Sequence, residues 1–193
     1  DSGQFEVLNT GNSVFIGEGA GVNDDYSDNR NVFVGKNAGN VNTTGLWNVF
    51  SGFHAGLSNI SGNRNVFNGY EAGVDNTTGT DNVFIGTQTG FLNIDGTNNV
   101  FLGRNAGRNN TTGDNNVFLG SDAGGNETGS NLLYIDNTNS SSPLIYGDFA
   151  ADSLRFNGIV ETASDLYVPS GSVGIGTTNP VTTDLAIVGS TST

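Results

Sequence analysis

A seventeen-residue sentence, "NRNVFVGKNAGNVNTTG" at residues 29–45, recurs through most of this chain and restricts the folds open to it. Val32, Val49, Val66, Val83, Val100 and Val117 fall at a constant spacing of seventeen. Val14 begins an earlier copy one residue longer, and Leu132 begins a degenerate later one. A Phe follows each Val: Phe15, Phe33, Phe50, Phe67, Phe84, Phe101 and Phe118. A Gly stands two residues further on, and three positions after it comes Ala20, Ala38, Ala55, Ala72, Ala106 or Ala123, with Thr89 the exception. Five copies continue through Asn42, Asn59, Asn76, Asn93 or Asn110 to a closing Gly. Self-similarity at a fixed period of this length marks a solenoid, in which each repeat makes one coil and packs on its neighbours.

Within a coil, "NVFVG" is a short β-branched and aromatic run between turn residues, which predicts a strand. "NTTG", "NISG" and "NIDG" predict turns, because Asn and Gly accept the positive φ that other residues resist. No window carries helical apolar spacing. The expected fold is therefore all-β: a parallel β-roll or β-solenoid of seventeen-residue coils. Stacking places equivalent residues about 4.8 Å apart and turns each constant position into a ladder. Asn31, Asn48, Asn65, Asn82, Asn99 and Asn116 form one ladder at the strand starts, and the turn asparagines form another. In both, each side-chain amide is expected to bond to the amides above and below. The Asn-Thr-Thr sequons also match glycosylation acceptors, but the turn reading accounts for every copy.

Successive strand residues point to opposite faces. Val shares one face with Ile16, Val34, Ile85, Leu102 or Leu119, and Phe takes the other. Both faces are apolar and both need cover, which self-association supplies without new sequence. Ser51 and Asn68 interrupt the Val face, and an unpaired Asn sits badly in a sealed core. Phe is therefore expected to point into the roll, opposite the small Ala of a returning strand. The valines at 32, 49, 66, 83, 100 and 117 then form the inter-chain face; the reverse assignment stays open.

The formal charge is −13, from nineteen acidic and six basic residues. That balance argues against nucleic acid, whose phosphates need clustered Lys and Arg. No apolar run is long enough to insert in a membrane. The chain has no Cys, so it has neither disulfides nor a thiol nucleophile. The single His54 falls at a variable position, and no enzyme chemistry is expected. In "NDDYSDN", Asp24, Asp25 and Asp28 offer hard oxygen ligands suited to calcium, against the plainer reading of a solvated acidic turn. Trp47, Phe53, Tyr70 and Phe91 are expected on the exterior, with Leu57 and Val74, as surfaces for sugars or a neighbouring chain. Paired threonines at 43–44, 77–78 and 111–112 resemble an ice-binding array broken by Ile60-Ser61 and Ile94-Asp95. The chain begins at Asp1 without an initiator Met, as a piece of a longer protein would.

"TGDNNVFLGSDAG" (residues 112–124) resembles the head repeat of trimeric autotransporter adhesins. The resemblance spans roughly residues 13–136 and implies a left-handed parallel β-roll wound as a homotrimer. That family's repeat is shorter and carries a small residue in place of Phe. From Asn137 the period is lost. "PLIYGDF" and "VGIGTTNP" look like the shafts of phage tail fibres and of Bacteroidetes-type secreted fibres. The expected organisation is a lead-in strand at 1–13, the repeat roll at 14–136, a connector at 137–168 and a shaft segment at 169–193. Together the resemblances imply a trimeric structural or adhesive fibre, extracellular or at a cell surface, that meets a glycan or protein receptor. A phage or contractile-injection tail fibre is the alternative; an ice-binding solenoid and a polysaccharide-degrading tailspike are further ones.

Overall fold

A computed structural model describes residues 12–160, and the compact unit that carries the repeat ends at Gly158. The expected lead-in strand at 1–13 lies almost wholly outside the described residues; Asn12 and Ser13 are turn and coil. The shaft at 169–193 and the end of the connector also lie outside them.

Each copy of the repeat forms one three-residue strand: β1 (Val14–Ile16), β2 (Val32–Val34), β3 (Val49–Ser51), β4 (Val66–Asn68), β5 (Val83–Ile85), β6 (Val100–Leu102) and β7 (Val117–Leu119). These seven pair in parallel, in chain order, with Val on Val and Phe on Phe at every step. Three further strands, β8 (Leu132–Ile135), β9 (Ile145–Asp148) and β10 (Ser153–Phe156), complete one ten-stranded sheet. No helix occurs among the described residues. The structure is a parallel β-solenoid.

Phe33, Phe50, Phe67, Phe84, Phe101 and Phe118 are fully buried, together with the alanines of the repeat. Their rings stack parallel at 4.7–4.9 Å, matching the strand spacing. Phe alone would leave a gap beside the edge of its ring. The backbone of the Ala-Gly pair closes that gap: a Cβ on Gly39, at φ 57°, would lie 2.5 Å from the Phe33 ring. This contact and the left-handed backbone explain why a Gly follows the Ala, or Thr89 in one copy, throughout the repeat.

The return path is not a strand. The Ala lies in a run of turns, between a left-handed residue such as His54 (φ 56°) and a left-handed Gly such as Gly56 (φ 58°). Two left-handed residues so close together cannot lie in extended chain. The turns still bond from coil to coil, as Gly39 N–H does to the Ala55 carbonyl at 2.9 Å and Thr43 N–H to the Ile60 carbonyl at 3.0 Å. Backbone groups that a strand would satisfy laterally are therefore satisfied along the stack.

The two Asn ladders are built differently. Turn asparagines form an amide column: Asn59 donates to Asn42, Asn76 to Asn59 and Asn93 to Asn76, at 2.8–2.9 Å. Strand-start asparagines do not bond amide to amide, contrary to expectation. Asn82 Oδ1 accepts the backbone N–H of Asn99 at 3.0 Å, and its Nδ2 donates to the carbonyl of Gly96 at 2.7 Å. The same bridge recurs from Asn31 to Asn116. Each of these amides ties its own coil's closing turn to the next coil's strand. Both ladders are fully buried, so the Asn-Thr-Thr sequons present no accessible amide in the folded chain.

The last coil is one residue short. Leu133, not Leu132, pairs with Val117, and Tyr134 takes the Phe position. Leu132 instead fills the Asn place, donating its N–H to Asn116 Oδ1 at 2.9 Å. Strand β9 then pairs antiparallel with β8 and β10 antiparallel with β9, ending the parallel stack. Tyr134 and Tyr146 continue the ring column edge-on, and the Arg155 guanidinium lies 4.6 Å from the Tyr146 ring centre.

Candidate functional site

The outer face of β1–β7 carries an apolar stripe built by the repeat. Phe points in, so its neighbours on either side must point out. Val32, Val34, Val49, Ile85 and Leu102 are 36–42 % exposed in the same strands whose Phe is 0 % exposed. Val66, Val83, Val100 and Val117 are half-buried. One rung thus presents two apolar side chains to solvent, except where Ser51 and Asn68 stand.

Two columns flank this stripe. On the N-terminal side of each strand stand Arg30, Trp47, Arg64 and Asp81, all left-handed. On the C-terminal side stand Lys36, Phe53, Tyr70, Thr87 and Arg104. Trp47, Phe53 and Tyr70 are exposed, and the Phe53 and Tyr70 rings stack at 5.3 Å. Four of the six basic residues lie in these columns, each paired with an acid. Arg30 pairs with Asp28, Lys36 with Glu18 at 3.0 Å, Arg64 with Asp81 at 2.6 and 2.8 Å, and Arg104 with Asp122 at 2.7 Å. The hydrogen bond from Arg64 holds the Asp81 carboxyl below the ordinary carboxylate range. Asp122 is held low first by Asn105 and then by Ser121 and Arg104. The margins of the stripe are therefore charged but locally neutral.

The three aspartates of the acidic turn do not converge into one cluster. Asp24 is buried in the column of turn asparagines, where it accepts from Tyr26 N–H at 2.8 Å and from Asn29 at 3.1 Å. Asp25 accepts from Ser27 N–H and from Asn29, and its carboxyl is lowered chiefly by Ser27. Asp28 turns outward to Arg30 and Asn12. Asn29 bridges Asp24 and Asp25 while Asp28 pairs elsewhere, and among the described residues no three His, Cys, Asp or Glu side chains are placed to share a metal ion. The position of Asp24, three residues after Gly21 as Asn42 is after Gly39, was a readable signal that the sequence reasoning passed over.

Other expected exterior residues divide. Val74 is buried, Leu57 is half-buried, and Phe91 is half-covered with the Arg108 guanidinium 5.0 Å from its ring centre. The Thr43 and Thr77 hydroxyls donate to the carbonyls of Ile60 and Ile94 at 3.1 and 3.0 Å, so their protons are committed to bonds between coils. His54 lies against Phe53 and within 3.2 Å of the Asn37 amide, one more member of a polar column.

A polar cavity of about 270 Å³ opens at the short last coil, lined by Asn126, Glu127, Tyr134, Asn139 and Ser140. Its carboxylate is already engaged. Glu127 accepts from the Tyr134 hydroxyl at 2.7 Å and from the N–H groups of Thr128 and Gly129. Burial, and then this carboxylate, push the Tyr134 phenol well above its usual range. Among the described residues no helix is long and apolar enough to cross a membrane. No protein-family model matches the chain, and searches of curated proteins and of solved structures return no match.

Proposed function

We propose that this chain is a structural and adhesive component of an extracellular fibre, in which copies associate as a homotrimer through the outer strand face. The observation that carries the reading is the contrast within one strand: Phe fully buried in the six rungs β2–β7, with the residues on either side of it half-buried or exposed. Seven rungs at about 4.8 Å make a face about 30 Å long, and the run from the Arg30 column to the Lys36 column is at most about 20 Å wide, giving no more than roughly 600 Å² with the charged margins included. A standard interface takes about 800 Å² from each partner, so the stripe with its charged margins approaches that size, and its apolar centre is the part that association would bury. A second copy with the same rise matches the stripe along its whole length.

The disposition of the polar side chains supports a non-catalytic role. The buried asparagines of the repeat are committed to bonds within and between coils, and the variable residues sit at the margins, where a fibre would present them to a glycan or protein receptor. Val83→Asp with Val100→Asp tests the reading. Sedimentation velocity should show the parent as a trimer and the double variant as a monomer with an unchanged strand signature in circular dichroism. A monomeric parent, or a double variant that keeps the parent's mass, would refute it.

A further inference from the structure

The outer stripe has a register problem. Its third strand position reads Ile16, Val34, Ser51, Asn68, Ile85, Leu102, Leu119 from β1 to β7. Were all seven apolar, a neighbouring copy shifted by one rung, about 4.8 Å, would lose contact only at one end. Ser51 and Asn68 break that degeneracy. Asn68 is exposed and Ser51 half-buried. Neither side chain has a hydrogen-bond partner among the described residues, while the strand-start asparagines beside them are buried and doubly bonded.

We propose that Ser51 and Asn68 pin the copies of this chain to one another, parallel and without axial offset. The inference rests on the self-association reading above and adds its geometry. In the unshifted parallel arrangement Asn68 meets Asn68 and Ser51 meets Ser51, so each amide and hydroxyl finds a polar partner as it loses water. A shift of one rung seats Asn68 against Ser51 of one neighbour and against Ile85 of another, leaving an amide desolvated without a bond. An antiparallel arrangement centred on Asn68 seats Ser51 against Ile85. An antiparallel arrangement centred between the two rungs also seats Ser51 against Asn68, but antiparallel copies cannot close a three-fold ring; among parallel arrangements only the unshifted one satisfies both polar rungs. A single polar residue in an otherwise apolar seam sets register by the same means in coiled coils.

The chain has no cysteine, so introduced cysteines report the register alone. Val83→Cys chains cross-link to each other when copies are unshifted. Co-expressed Val83→Cys and Val100→Cys chains cross-link heterotypically when copies are slipped by one rung. With Ser51 and Asn68 in place, homotypic products should exceed heterotypic ones by about tenfold or more, the scale of one unpaired buried polar group. In a Ser51→Val, Asn68→Ile background the ratio should fall toward one. Both positions are solvent-facing, so the variant should keep the parent's circular dichroism and still assemble. An assembled variant with the parent's ratio overturns the pinning and leaves association standing. A parent that sediments as a monomer and yields neither product overturns both.

Discussion

Replacing Asn82 with Ala removes one bridge from the middle of the stack, and the cost follows from what is left behind. Asn82 is fully buried; it accepts from the Asn99 N–H at 3.0 Å and donates to the Gly96 carbonyl at 2.7 Å. Both partners are backbone groups of buried residues, so water does not readily replace the amide. Each buried group left unpaired costs about 1–3 kcal/mol, which puts the loss at about 2–6 kcal/mol per chain. Equilibrium unfolding in guanidinium, followed by far-ultraviolet circular dichroism, measures it. Asn82→Asp refines the test. The aspartate keeps an acceptor for Asn99 but turns an anionic oxygen toward the Gly96 carbonyl, so burial and that carbonyl raise its pKa in the folded state. The protonated acid can donate to Gly96. This variant should therefore be most stable below about pH 4, the unfolded value for Asp, and lose stability as pH rises through the higher folded value. An Ala variant within about 0.5 kcal/mol of the parent, or an Asp variant indifferent to pH, would refute the bridging role.

Three further outcomes are expected. Phe67→Ala should cost about 3–5 kcal/mol per chain, because the ring is fully buried between Phe50 and Phe84; an unchanged melting temperature would contradict that. Asp81 should titrate below the usual carboxylate range by carbon-detected NMR and return toward it in Arg64→Ala. Its small contribution, screened at the surface, is present above the ordinary carboxylate pKa and is lost as pH falls through the depressed value. Deleting residues 82–98 removes one period and joins Asp81 to Asn99. The product should remain a folded solenoid with one coil fewer, and an unfolded product would contradict the modular stacking.

The parts of the fold that depend on alternation were legible from the sequence. Val and Phe sit on adjacent residues of a strand, so their opposite directions followed directly, and the period of seventeen gave their pairing. The return path was misread because Ala-Gly looks like a small-residue strand. The residue before it, variously Asn, His, Glu, Gln or Asp, must be left-handed, and only the coil's width dictates that. The strand-start asparagines were placed correctly as a ladder but assigned the wrong bonds. Their reach to Gly45 or Gly96 depends on how the closing turn folds back, which spacing alone does not encode. Leu132 was taken as the start of the last coil, yet the segment from Gly120 to Gly129 is one residue shorter than that from Gly103 to Gly113, a count that foretells the shift to Leu133. The outer stripe was readable, and its occupant is the step that needs a solution experiment.

The molar mass of the purified chain by light scattering at micromolar concentration tests that step most directly. The account predicts a particle of about 60 kDa, three chains of 19.9 kDa. A stable, folded particle of 19.9 kDa, its Val stripe bare to water, would contradict it.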